Sequence, residues 1–155
     1  MEYRFKMADN EYWWGGCSNF GTDMPYSAEK NISVNLKSEK FRNQTMPLFV
    51  SNKGRYIWSD NLFDCRFENG EIIINGEDVV LCCGGSTLRD AYQAAMKEHF
   101  PFDGKKLPEE FFTRAQYNGW MQFMYEPTQQ GVLDYAKGIV DNGFEPGILI
   151  IDEGW

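Results

Sequence analysis

The sequence is short of positive charge, of histidine and of long apolar runs. Lys and Arg number 15 against 23 Asp and Glu, for a formal net charge of -8. The basic residues are scattered, with Lys105-Lys106 the only adjacent pair. Neither nucleic acid nor an anionic membrane surface is attracted to such a chain. No apolar run approaches the roughly 18 residues of a membrane span, and the start carries no signal-peptide pattern. A soluble chain of open compartment is expected. The four cysteines, at positions 17, 65, 82 and 83, show no Cys-x-x-Cys or Cys/His ligand spacing, which argues against zinc. No metal or other cofactor is expected. His99 is the only histidine, and its place at the end of a helical stretch suits its charged form to the helix dipole.

What is present is apolar and aromatic. Hydrophobic residues make up 43% and charged residues 25% of the chain, so it is globular rather than disordered. At 155 residues it holds one ordinary domain, or a small domain and a piece of another. Aromatics reach 16%. They fit the core of a β-rich protein or flat faces that stack on sugar rings, and composition leaves both open. Two sequons, Asn31-Ile32-Ser33 and Asn43-Gln44-Thr45, are short enough to arise by chance.

Up to about residue 85 the pattern is of short strands. Ile32, Val34 and Leu36 alternate with polar residues, as do Phe63, Cys65 and Phe67. Asn69-Gly70 predicts a hairpin turn into a strand from Glu71 to Asn75. Asn75-Gly76 predicts a second such turn, with Asp78 to Cys83 as the third strand of the same meander. Asn52-Lys53-Gly54 predicts a hairpin between Pro47–Val50 and Arg55–Trp58. Within the strand ending at Cys83, the neighbours Cys82 and Cys83 are expected on opposite faces. Such closely spaced antiparallel strands point to a β-sandwich over residues 1–85.

Thr87 and Asp90 then fit a capping box, with Leu88, Ala91, Tyr92, Ala95 and Met96 on one helical face. This helix and the polar stretch from Pro101 to Pro108 form a connecting segment, residues 86–112. Over residues 113–155, Gln116 to Met124 reads as a strand, with Tyr117, Gly119, Met121 and Phe123 on one face. Thr128 caps a helix striped by Val132, Leu133, Ala136, Ile139 and Val140, closed by Asn142-Gly143. The run Gly147 to Ile151 is the unalternating apolar pattern of a strand covered on both faces. Strand, helix, strand over about forty residues is one βαβ unit. One unit closes no barrel, so the expectation is a truncated α/β enzyme. Asp152 and Glu153 follow the last strand, where α/β enzymes place ligand contacts. As consecutive strand residues they would face opposite ways, so they are not a catalytic pair acting on one bond. Asp152 is the candidate contact, the alternative being a cap for a following helix.

Three segments resemble a known family: Thr113-Arg-Ala-Gln-Tyr-Asn-Gly-Trp-Met-Gln-Phe-Met-Tyr125, Gln129-Gln130-Gly131-Val132-Leu133-Asp134-Tyr135-Ala136, and Asn142-Gly-Phe-Glu-Pro-Gly-Ile-Leu-Ile-Ile-Asp-Glu-Gly-Trp155. They are similar to the start of the catalytic barrel of glycoside hydrolase family 31, the α-glucosidases and α-xylosidases. Glu11-Tyr12-Trp13-Trp14-Gly15-Gly16 and Met46-Pro47-Leu48-Phe49-Val50-Ser51 resemble that family's N-terminal region. The resemblance spans nearly the whole chain and is strongest from residue 107. It implies a mainly β chain with an α/β tail: a galactose-mutarotase-like antiparallel sandwich, a linker helix, and the first βαβ unit of a (β/α)8 barrel. It also implies a retaining α-glycosidase whose catalytic aspartates follow the fourth and sixth barrel strands, beyond residue 155, so that this chain alone is inactive. Asp152 matches the acid that holds sugar hydroxyls, and Tyr125 and Trp155 match an aromatic wall. The implied partner is an oligosaccharide, and the uncovered barrel surface implies self-association. The Ile-Asp-Glu-Gly-Trp ending also resembles a related clan of α-galactosidases. A stand-alone carbohydrate-binding module and a plain interaction domain are the competing classes.

Overall fold

The computed structural model describes residues 1–38 and 44–154. The chain divides into two compact units, Met1–Phe102 and Asp103–Trp155. It is mainly β: two four-stranded antiparallel sheets come first, then helices and a small parallel pair of strands.

The strands of the first unit are β1 (Glu2–Lys6), β2 (Trp13–Cys17), β3 (Ile32–Asn35), β4 (Thr45–Ser51), β5 (Arg55–Trp58), β6 (Asp64–Glu68), β7 (Glu71–Asn75) and β8 (Val80–Cys83), and α1 spans Leu88–His99. One sheet runs β1-β7-β6-β3 and the other β2-β4-β5-β8. In the first sheet Phe5, Ile72 and Phe67 stand in line across neighbouring strands, as do Tyr3, Ile74 and Cys65. Ile72, Phe67, Ile74 and Cys65 share one buried core with Trp13, Phe49 and Ile57 of the second sheet, and the half-buried Tyr3 and Phe5 pack against it. Phe49 on β4 lies 5.8 Å from Phe67 on β6, and Tyr26 stacks on Phe67 at 4.6 Å. The aromatics at these positions are core. The outward face of the first sheet is largely polar, with the buried Ile73 standing between Arg4 and Arg66 in register.

The other face of the second sheet meets α1. Leu48 and Tyr56 pack with Ala91 and Ala95, with Val50, Trp58, Cys82 and Met96 around them. Thr87 starts this helix with the expected capping box: its side chain accepts the Asp90 N–H, and the Asp90 carboxylate accepts the Thr87 N–H. Leu88 and Tyr92 of the expected apolar face are exposed; the small residues are the ones that seat the helix on the sheet. His99 stacks on Trp58 at 4.4 Å and meets Tyr56 edge-on. The histidine belongs to this packing.

Asn69-Gly70 forms the predicted turn, with φ of 52° and 76°, the paired left-handed geometry that an Asn-Gly hairpin requires. The turn around Asn52-Lys53-Gly54 joins β4 to β5 as expected. Pro47 falls inside β4, where the pairing with β2 slips between Gly15 and Gly16; a residue without N–H fits such a break.

Asn75-Gly76 is not a hairpin. β8 pairs with β5 in the opposite sheet, so residues 76–79 cross between the sheets. Gly76 exchanges hydrogen bonds with Met1, and Val79 is buried in the core between the sheets. The dipeptide signalled a turn but not the sheet that the following strand joins. Cys82 is half-buried and Cys83 exposed, in keeping with their alternation.

The second unit contains α2 (Glu110–Thr113), β9 (Gln116–Asn118), α3 (Trp120–Phe123), α4 (Gln129–Asp141) and β10 (Ile148–Ile150). β9 and β10 pair in parallel, Tyr117 opposite Leu149. Thr128 caps α4 by accepting the Gly131 N–H. At its other end the N–H groups of Gly143 and Phe144 return to Val140 and Ile139, the Schellman arrangement. The expected long strand through Met124 is absent: β9 stops at Asn118 and the chain turns into α3. The Asn118 carboxamide accepts the Trp120 N–H, a local bond that competes with continued pairing. No side chain of this unit's described residues is buried, and Leu133, Val140, Ile150 and Ile151 are exposed.

Candidate functional site

The groups with ligand chemistry gather at one edge of the second unit, past the carboxyl ends of β9 and β10. Parallel strands send their ends to the same side, so β9 delivers Asn118 beside the residues that follow β10. Asp152 stands two residues beyond Ile150, with φ of 70°. Asp152 and Glu153 therefore lie past the strand, and strand alternation does not govern where they point. Asp152 Oδ2 accepts a hydrogen bond from Asn118 Nδ2 at 2.7 Å, and Oδ1 accepts the Glu153 N–H at 2.9 Å. The carboxylate is exposed yet held at both oxygens.

Tyr125 was expected at the end of the first strand of this unit. It lies instead beyond α3, seven residues after Asn118, because the strand is short. It nevertheless belongs to the same edge. Its ring stands edge-on to Trp120 at 4.9 Å, with an interplanar angle of 90°. The chain after Asp152 passes so near the Tyr125 backbone that a Cβ on Gly154 would sit 2.8 Å from its carbonyl oxygen. With φ of 95° as well, that position suits glycine and little else. Trp155 lies outside the described residues.

Met124, just before Tyr125, has φ of 50° and ψ of -119°, a conformation that costs a side-chain-bearing residue energy. One strained residue, Met124, thus directly precedes the Tyr125 aromatic of this edge. Strain of this kind gathers at ligand sites.

Asn118 and Trp120 were missed in the sequence. Their signal was Asn118-Gly119, a turn dipeptide inside the supposed strand. Reading the strand through it displaced the strand end by six residues, and with it the expected position of the ligand edge.

Chemically, this edge supplies a carboxylate acceptor, an amide and a two-ring aromatic surface. Groups of these kinds are the ones that can accept hydroxyl hydrogens and lie against apolar ring faces. At the other ends of the strands, Arg114 pairs with Glu145, and the Tyr117 hydroxyl donates to the Glu145 carbonyl at 2.7 Å. The side of β9 toward α4 opens into an apolar cleft of about 640 Å³, lined by Tyr117, Phe123, Tyr135, Ile139 and Phe144 among others.

In the first unit, burial pushes the Cys65 thiol well above its ordinary range, so it is an inert core group. The described residues hold no cluster of ligating side chains suited to a metal ion, and no helix among them is long and apolar enough to cross a membrane. Comparison with known protein families and with curated proteins finds no match to this chain.

Proposed function

We propose that this chain is the N-terminal part of a retaining α-glycosidase of the glycoside hydrolase family 31 type. It supplies a sugar-holding edge and lacks the catalytic aspartates, so it hydrolyses nothing alone. In this reading the first unit is a galactose-mutarotase-like sandwich and the second opens a (β/α)8 barrel. Asp152 accepts hydroxyl hydrogens of the sugar, and Tyr125, with Trp120 beside it, offers an apolar wall. Trp155 is a further candidate for that wall.

The observation that carries the reading is the parallel pairing of β9 with β10 across α4, with Asn118 and Asp152 meeting at the carboxyl ends. Enzymes built on parallel strands and covering helices bind ligands at that end. The motif resemblance supplies the choice of sugar chemistry. The exposed apolar residues of α4 and β10 fit an α/β layer that further strands and helices complete.

The test is a panel of nitrophenyl α-glycosides, offered to this chain and to a longer form of the polypeptide extending through a full barrel. The reading expects no turnover by residues 1–155 and clear turnover of at least one α-glycoside by the longer form. Turnover by the short chain, or none by either, would overturn it.

A further inference from the structure

Asn118 joins the groups of the strand-end edge through one side chain. Its Oδ1 accepts the Trp120 N–H at 2.7 Å and its Nδ2 donates to Asp152 Oδ2 at 2.7 Å. The first bond settles which way the amide faces, because only the oxygen can accept a backbone N–H. With the oxygen so engaged, the nitrogen is turned to the carboxylate as a donor.

Asp152 is then held at both oxygens, by Asn118 on one and by the Glu153 N–H on the other. The carboxylate plane cannot rotate without breaking one of these bonds. Each oxygen keeps further acceptor capacity. Two acceptors side by side in a fixed plane match two adjacent hydroxyls of a pyranose.

We propose that Asn118 is a positioning residue: it fixes the Asp152 carboxylate in the orientation that accepts a vicinal diol, and locks the start of α3, which carries Trp120 against Tyr125. The proposal rests on the α-glycoside reading above and adds to it the residue that sets the geometry. A freely rotating carboxylate would first have to be ordered by the sugar, and that ordering lowers affinity. Asn118→Asp would set two carboxylates against each other and turn Asp152 aside.

The experiment follows the side-chain amide of Asn118 by 1H–15N NMR in the 155-residue chain. The pH is lowered until Asp152 is protonated, and separately methyl α-D-glucopyranoside is added at neutral pH. The amide signals should shift with the ionisation of Asp152 in the wild type and stop doing so in Asp152→Asn. The apparent sugar affinity, read in all forms from the backbone amide signals of Trp120, Tyr125 and Glu153, should fall about tenfold in Asn118→Leu and in Asn118→Asp, equivalent to about 1.4 kcal/mol. In the sugar titration at neutral pH the signals of the first unit should stay in place. If Asn118→Leu disorders the second unit, Asn118→Asp, nearly identical in shape, carries the test. Sugar binding that survives both substitutions, or an amide indifferent to Asp152, overturns the positioning role while leaving the α-glycoside reading intact. An amide that tracks Asp152 in a wild-type chain that binds no sugar overturns that reading, and reduces Asn118 to a structural clasp.

Discussion

Glu11 is a fully buried carboxylate, and it is held by what surrounds it. Arg55 bonds both carboxylate oxygens, the Ala8 N–H donates at 2.9 Å, and Arg55 also reaches the Lys6 carbonyl. The guanidinium lies 5.5 Å from the centre of the Trp13 ring. Burial pushes the Glu11 carboxyl up, but the bonds from Arg55, Ala8 and Ser51 together hold it below its ordinary value of 4.5. A carboxylate depressed in the folded state stabilises the fold above its unfolded value and loses that contribution as pH falls through the folded value. Stability of the first unit should therefore hold at neutral pH and decline below about pH 4.5, as read by urea midpoints against pH. Glu11→Gln should flatten that decline. It should also cost roughly 3 kcal/mol at pH 7, since removing one member of a buried pair strands the other; urea unfolding measures this. An unchanged midpoint in Glu11→Gln would mean that Arg55 finds water instead.

Among the elements, legibility followed the length of the local signal. The Asn69-Gly70 hairpin, the α1 capping box and the closing turn of α4 each lie within a few residues of chain, and each was readable. The partner of β8 was not, because pairing with β5 rather than β7 joins residues far apart in the sequence, which no local signal reports. The end of β9 was lost because Tyr117, Gly119, Met121 and Phe123 alternate as a strand does, while the bond between Asn118 and Trp120 turns the chain. Asp152 was found where an acid stands after an apolar strand, but its partner Asn118 went unread for the same reason. Two substitutions probe single elements. Thr87→Ala removes the α1 cap and should lower the stability of the first unit by about 1 kcal/mol, measured by thermal unfolding. At Gly147 a Cβ would come within 2.1 Å of the Ala115 carbonyl oxygen. Gly147→Val should therefore dismantle the β9–β10 pairing while leaving the unfolding of the first unit unchanged, a difference that circular dichroism and NMR would resolve.

For the molecule as a whole, the division of apolar burial is the telling fact. Every buried hydrophobic side chain among the described residues lies between Met7 and Ala95. The first unit has a core between its sheets and a second under α1; the described residues of the second unit form paired strands and helices with no buried hydrophobic side chain. Elements with little apolar burial open readily, and large exposed apolar faces promote association. Hydrogen exchange of the isolated chain should be slow through β4–β7 and fast through β9, α4 and β10. Light scattering should show a dimer or larger species that falls apart in mild denaturant. A strictly monomeric chain with slow exchange in α4 would contradict the reading of these faces as surfaces awaiting a cover.

The central claim, an α-glycosidase of retaining mechanism, is tested most directly by the anomer it releases. A longer form of the polypeptide, extending through a full barrel, would be given nitrophenyl α-glucoside, and the first sugar product followed by proton NMR before mutarotation. The account predicts that the α-anomer appears first, as a covalent intermediate on one carboxylate requires. Release of the β-anomer would contradict it.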